Sequence, residues 1–151
     1  MASTVTAATL TVSISESITL NGVTYDKSET NQITGIANYH SRVYQLKANT
    51  THTLVEFASD PTSGEFDSDD FKYMRITNLD DTNAINITLA EESNVGCAFQ
   101  IDAGESFILQ ALVTDSNTSG SAITSLGHSI TDLFVRTGGA ETDVEIVVAT
   151  A

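Results

Sequence analysis

The sequence predicts an all-β protein built as a single antiparallel β-sandwich. Three observations carry that expectation. Apolar and polar residues alternate at period two through most of the chain, turn residues separate the alternating runs, and no stretch keeps helical periodicity beyond a turn or two.

Leu10, Val12 and Ile14 interleave with Thr11, Ser13 and Ser15, which sets the apolar members on one face of a first strand. Ile18-Thr19-Leu20 and Val23-Thr24-Tyr25 flank Asn21-Gly22. That pair predicts a two-residue hairpin, because both central positions of a type I′ turn need positive φ. Residues 26–32 are polar and read as a loop, while 39–46 and 51–58 are β-like and expected as two adjacent strands. Residues 59–70 hold the only proline, Pro61, with Gly64 and the acids Asp60, Glu65, Asp67, Asp69 and Asp70, and so read as a surface loop. Residues 71–77 resume as a strand that Asn78-Leu79-Asp80-Asp81 turns, and Ile85, Ile87 and Leu89 alternate beyond it. Cys97, Phe99 and Ile101 alternate next, with Cys97 expected as a small buried core residue. Ala103-Gly104-Glu105-Ser106 is a turn before the apolar run 107–113. Residues 115–129 are weakly patterned. Residues 133–136 and 144–148 close the chain around Gly138-Gly139, as a hairpin or as strands crossing between sheets.

About nine short strands make a two-sheet sandwich, and a jelly-roll-like arrangement fits their number and spacing, since two Greek keys leave few exposed edges. A domain of 151 residues buries roughly 70% of the surface its unfolded chain exposes, enough to fold without staples. The sandwich is expected over residues 10–151, preceded by a short N-terminal arm over residues 1–9. The arm is the candidate interface: Met1, Ala2, Ser3, Thr4, Val5, Thr6, Ala7, Ala8 and Thr9, small and rich in Thr and Ala.

Composition narrows the function classes. Twenty acids against six bases give a formal net charge of -14, and the bases Lys27, Arg42, Lys47, Lys72, Arg75 and Arg136 are scattered. A nucleic-acid backbone is bound by clustered Lys and Arg that displace counterions, so no nucleic-acid partner is expected. The acidity favours solubility or a basic partner surface. The lone cysteine forms no intrachain disulfide, and the first residues lack the basic and apolar stretches of a signal peptide or membrane span. Synthesis in a cytoplasm and no membrane association follow as expectations, and the sequons at Asn49, Asn86 and Asn117 are then unused.

No phosphate-binding glycine motif is present, and His40, His52 and His128 stand in no metal-ligand spacing. His40 and His52 are expected at strand ends and His128 in a loop. No GxSxG elbow singles out a serine, and Cys97 has no activating base nearby in sequence. Paired acids for glycoside hydrolysis work in a cleft lined with aromatics, whereas this chain has no Trp and only 7% aromatics, whose ordinary place is the core. Asp67, Asp69 and Asp70 supply hard oxygen ligands for calcium but lack the EF-hand order, which favours a solvated loop. The chain is therefore expected to be non-enzymatic, with no catalytic, cofactor or metal site.

The run Arg75-Ile76-Thr77-Asn78-Leu79-Asp80, followed by Ile85-Asn86-Ile87-Thr88-Leu89, Phe99-Gln100-Ile101 and Ala103-Gly104-Glu105-Ser106-Phe107-Ile108-Leu109, resembles small β-sandwich virion proteins of tailed bacteriophages. Leu133-Phe134-Val135 and Val144-Glu145-Ile146 are similar to their closing strands. The resemblance covers roughly the second half of the chain and rests on turn chemistry and alternation. It implies an auxiliary capsid decoration or cement protein, often a trimer, that bridges neighbouring major capsid protein subunits in the virion. The alternatives are a phage tail, neck or fibre-attachment component, a lectin-like host-recognition module, or a hydrolase of surface polysaccharide.

Overall fold

The computed structural model describes residues 6–90, 96–110 and 130–151, and these form an all-β structure. In chain order the strands are β1 (Ala8–Leu20), β2 (Val23–Ile36), β3 (Asn38–Leu46), β4 (Thr51–Ala58), β5 (Phe66–Asp67), β6 (Phe71–Asn78), β7 (Ile85–Ala90), β8 (Gly96–Ile101), β9 (Ser106–Gln110), β10 (Asp132–Thr137) and β11 (Thr142–Thr150). Strands β1 and β2 make a sheet of their own, beside a five-stranded sheet β5-β4-β10-β7-β8 and a four-stranded sheet β3-β11-β6-β9. The two larger sheets pack face to face as a β-sandwich. All strand pairs among the described residues are antiparallel except the two-residue β5 on β4.

Alternation builds the core. Met74 and Ile76 of β6, Ile85 and Ile87 of β7, Leu133 and Val135 of β10, and Val144, Ile146 and Val148 of β11 all point between the sheets and join one buried cluster. Burying an aliphatic side chain of this size stabilises by about 1.5–3 kcal/mol, and a one-residue slip would turn a whole strand's set to solvent. The core therefore fixes the register.

Setting β5 aside, the eight sandwich strands pair in a nested order: β3 with β11, β4 with β10, β6 with β9, and β7 with β8. Among the described residues, two crossings from one sheet to the other consequently run beside their returning crossings. Residues 47–50 meet 138–141, where the Asn49 N–H donates to the Gly138 carbonyl at 2.8 Å and the Thr137 hydroxyl donates to the Lys47 carbonyl at 3.1 Å. At another crossing pair, residues 79–84 meet 102–105, and Asn78 joins them. Its side-chain amide donates to the carbonyls of Asn83 (2.8 Å), Asp102 (3.1 Å) and Ile101 (3.3 Å), and its Oδ1 accepts from the Asp80 N–H. Gly104, at φ 75, supplies the positive-φ position of the turn closed by Glu105 N–H on the Asp102 carbonyl.

Several expectations change. Residues 26–32 are not a loop but the middle of β2. The Asn21-Gly22 turn forms as expected, at φ 53 and φ 80, and sets a register running from Leu20 opposite Val23 to Thr9 opposite Thr34. Each polar residue of 26–32 thereby gains a backbone partner on β1. Strands β3 and β4 are not paired with each other, because the short 47–50 connection carries the chain across to the opposite sheet. The same holds for β10 and β11, so the sheet-crossing alternative describes the closing strands. Cys97 is exposed rather than buried, since β8 is the outermost strand of its sheet. His40 is the third residue of β3, packed edge-on against Phe66 at 5.7 Å between centroids, while His52 is the second residue of β4. His128 and residues 115–129 lie outside the described residues.

Candidate interaction surface

The β1–β2 hairpin sorts its side chains by chemistry. On one face, Ser13 meets Thr30, Ser15 meets Ser28, Ser17 meets Asp26 and Thr19 meets Thr24, each pair joined by a side-chain hydrogen bond. Period two in both strands places the apolar residues on the opposite face: Leu10 beside Ile33, then Val12 and Ile14, then Ile18 beside Tyr25 and Leu20 beside Val23. A charged belt of Glu16, Lys27 and Glu29 crosses that face, with Lys27 and Glu29 paired at 2.9 Å.

Among the described residues, only the base of the hairpin is covered. Leu10, Val12, Ile33 and Ile36 pack on Tyr73, Val147 and Ala149, residues that β6 and β11 present on the outer face of the four-stranded sheet. The Asn31 amide donates to Gln110 Oε1 at 3.0 Å, pinning β2 to β9. This cap explains why β11 is buried on both faces, and burial raises the Tyr73 phenol above its ordinary pKa against the opposing pull of the Arg75 guanidinium. Farther out the same face stands free. Ile14 is 50% exposed, Ile18 60% and Tyr25 59%, with Leu20 and Val23 between them. Strands of 13 and 14 residues reach about 45 Å at 3.4 Å per residue, whereas the nine-residue strands of the sandwich reach roughly 30 Å, so the hairpin overhangs its support.

Beside the hairpin base, a groove of about 430 Å³ opens between β1 and the outer sheet face. Leu10, Val12, Tyr39, Tyr73, Ile108 and Val147 line it, and Arg75, held by Glu145 at 2.5 Å, lies on its floor. Tyr39 and Val43, 61% and 55% exposed on β3, extend this apolar surface along the same face. Tyr25, Tyr39 and Phe99 thus depart from the core placement expected of aromatics.

Of the expected interface, residues 1–5 (Met1, Ala2, Ser3, Thr4, Val5) lie outside the described residues. Thr6, Ala7, Ala8 and Thr9 are exposed, and the expected boundary between arm and sandwich falls within β1, because Ala8 already pairs with Ile36 and Thr9 with Thr34. The Asn21-Gly22 hairpin is expected from the sequence, but its length and its projection are not, and its distal half carries the larger apolar surface.

Two of the five acids of residues 59–70 are engaged locally. Glu65 accepts from the N–H and hydroxyl of Thr62, which lowers its pKa, and Asp67 accepts from the Asp69 N–H. Among the described residues no three His, Cys, Asp or Glu side chains gather as metal ligands, and no helix is long and apolar enough to cross a membrane. No family model, no curated protein and no solved structure matches the chain.

Proposed function

We propose that this chain is a non-enzymatic structural protein of a virus particle, an auxiliary protein that decorates or cements a bacteriophage capsid by bridging neighbouring capsid subunits. The observation that carries the reading is the hairpin: a rigid sandwich holds out an amphipathic β-ribbon whose polar face is satisfied internally and whose distal apolar face is bare. Such a face is suited to docking, and contacts repeated over many copies gain strength through multivalency. A jelly-roll form of the sandwich belongs to the same reading and is supported by the nested pairing of its eight strands; that architecture is common in viral and lectin domains alike. The Asn78 and Gly104 turns, which carry the sequence resemblance to phage virion proteins, serve as structural corners.

The test mixes the purified full chain with phage shells lacking a decorating protein and pellets them. Co-pelleting at a fixed ratio to the major capsid protein is expected. A chain left in the supernatant across a range of shell types would overturn the proposal.

A further inference from the structure

We propose that the occupant of the bare hairpin face is a second copy of this chain: the distal half of one hairpin seats in the groove beside another copy's hairpin base. The inference deepens the capsid reading, on which it rests for the hairpin as docking element: the hairpin joins copies of this chain, and the joined copies together bridge the shell. Three observations converge on a second copy.

First, the chain already displays this contact within itself. Leu10, Val12 and Ile33 bind the outer sheet face through Tyr73, Val147 and Ala149, and the apolar set continues along the same hairpin face as Ile14, Ile18, Leu20, Val23 and Tyr25. The distal half thus offers the chemistry that the sheet face already accepts. Second, the receiving surface has free capacity continuous with that contact. The groove lined by Tyr39, Tyr73, Ile108 and Val147 opens directly beside the hairpin base, and Tyr39 itself is 61% exposed.

Third, the areas suffice. Five large side chains half or more exposed leave on the order of 500 Å² of apolar surface per hairpin, the size of a functional patch. On the receiving side Tyr39, Ile108 and the neighbouring Val43 are the large exposed apolar residues, and a seat that covers the whole hairpin patch with an equal area of partner would bury about 1,000 Å², the threshold for a specific interface. A lone two-stranded ribbon is also marginal in water, so the overhang gains order from a seat. The contact joins tip to groove, and closes either as a reciprocal two-fold pair or, head to tail, as a ring.

Sedimentation velocity on the full chain tests this, from about 1 to about 100 µM, a range in which a complex of micromolar or tighter affinity is populated. The expected result is a species at a small integer multiple of the 16.0 kDa chain. Tyr25→Glu removes the tip and Tyr39→Glu the groove, each at an exposed position that leaves the core intact. Each variant alone should associate about 100-fold more weakly or worse, as loss of an aromatic anchor does. Mixing the two should restore one seat and yield a one-to-one pair, because one variant keeps an intact groove and the other an intact tip.

A wild-type chain that stays monomeric, an oligomer that both variants leave unchanged, or a mixture that stays monomeric would each overturn the proposal. Shell binding by a monomeric wild type would leave the capsid reading standing while removing this one. Self-association without shell binding would do the reverse.

Discussion

Replacing Asn78 by alanine should be among the most damaging single changes outside the aliphatic core. Asn78 is fully buried at the end of β6, where two sheet crossings run side by side. The two hydrogens of its amide are shared among the carbonyls of Asn83, Ile101 and Asp102, and its oxygen accepts from the Asp80 N–H. Alanine removes all of these and leaves the partners to find others. A typical hydrogen bond contributes about 1 kcal/mol net, while a buried group stripped of its partner costs about 1–3 kcal/mol, so a loss of roughly 3 kcal/mol is expected. For a domain of this length, 1 kcal/mol moves Tm by about 2–4 °C, which gives a drop of roughly 6–12 °C. Urea unfolding followed by circular dichroism, with thermal melts alongside, measures both. A cost under about 1 kcal/mol would refute the assignment of Asn78 as the pin between the crossings and place the corner's stability in the surrounding core instead.

Leu133→Ala, at a fully buried position on the central strand β10, should cost about 2–5 kcal/mol in the same urea assay, whereas Tyr25→Ala on the bare hairpin face should stay within about 0.5 kcal/mol for the unassembled chain. Gly96→Ala should lower Tm, because a Cβ there would lie 2.5 Å from the Leu89 carbonyl oxygen, a backbone atom that yields only if the β7–β8 pair shifts. Asp80 accepts from the N–H groups of Thr82 and Asn83 and from their side chains, which holds its carboxyl below the ordinary 3.8. A folded pKa below the unfolded one contributes stability that is whole above the unfolded value and is lost as pH falls through the folded value. The urea midpoints of wild type and Asp80→Asn should therefore differ near neutral pH and converge well below 3.8; a gap that stays constant on acidification would contradict this.

Much of this fold is legible in the sequence because its signals are local. Asn21-Gly22 marks its hairpin through a backbone need that few other residues meet, and Ile85, Ile87 and Leu89 mark a strand because one sheet face is buried and the other is not. Residues 26–32 carry no such signal. They are strand only because the turn sets them opposite β1, and their contribution is a row of hydrogen-bonded Ser, Thr and Asp side chains rather than a buried face. Alternation likewise could not show that β3 and β4 lie in different sheets, since four residues can equally turn back or cross over. The continuous burial of β11 from Ile146 to Thr150 has two causes, the core on one side and the hairpin base on the other, and only the structure separates them. For the same reason the candidate site was half legible: alternation from Leu10 to Ile14 gives the apolar face, but what covers Leu10 and leaves Ile18 bare is a matter of reach.

The most direct test of the central claim, that the hairpin is the docking element of an assembling protein, is amide hydrogen exchange on the full chain, free in dilute solution and bound to shells. Free, the distal amides of β1 and β2 should exchange quickly, as an overhanging two-stranded ribbon must, and those of β10 and β11 slowly. On assembly, the residues from Ile14 to Glu29 should gain protection while the core strands stay as they were. Chains bound to shells with that segment still exchanging at its free rate would contradict the claim.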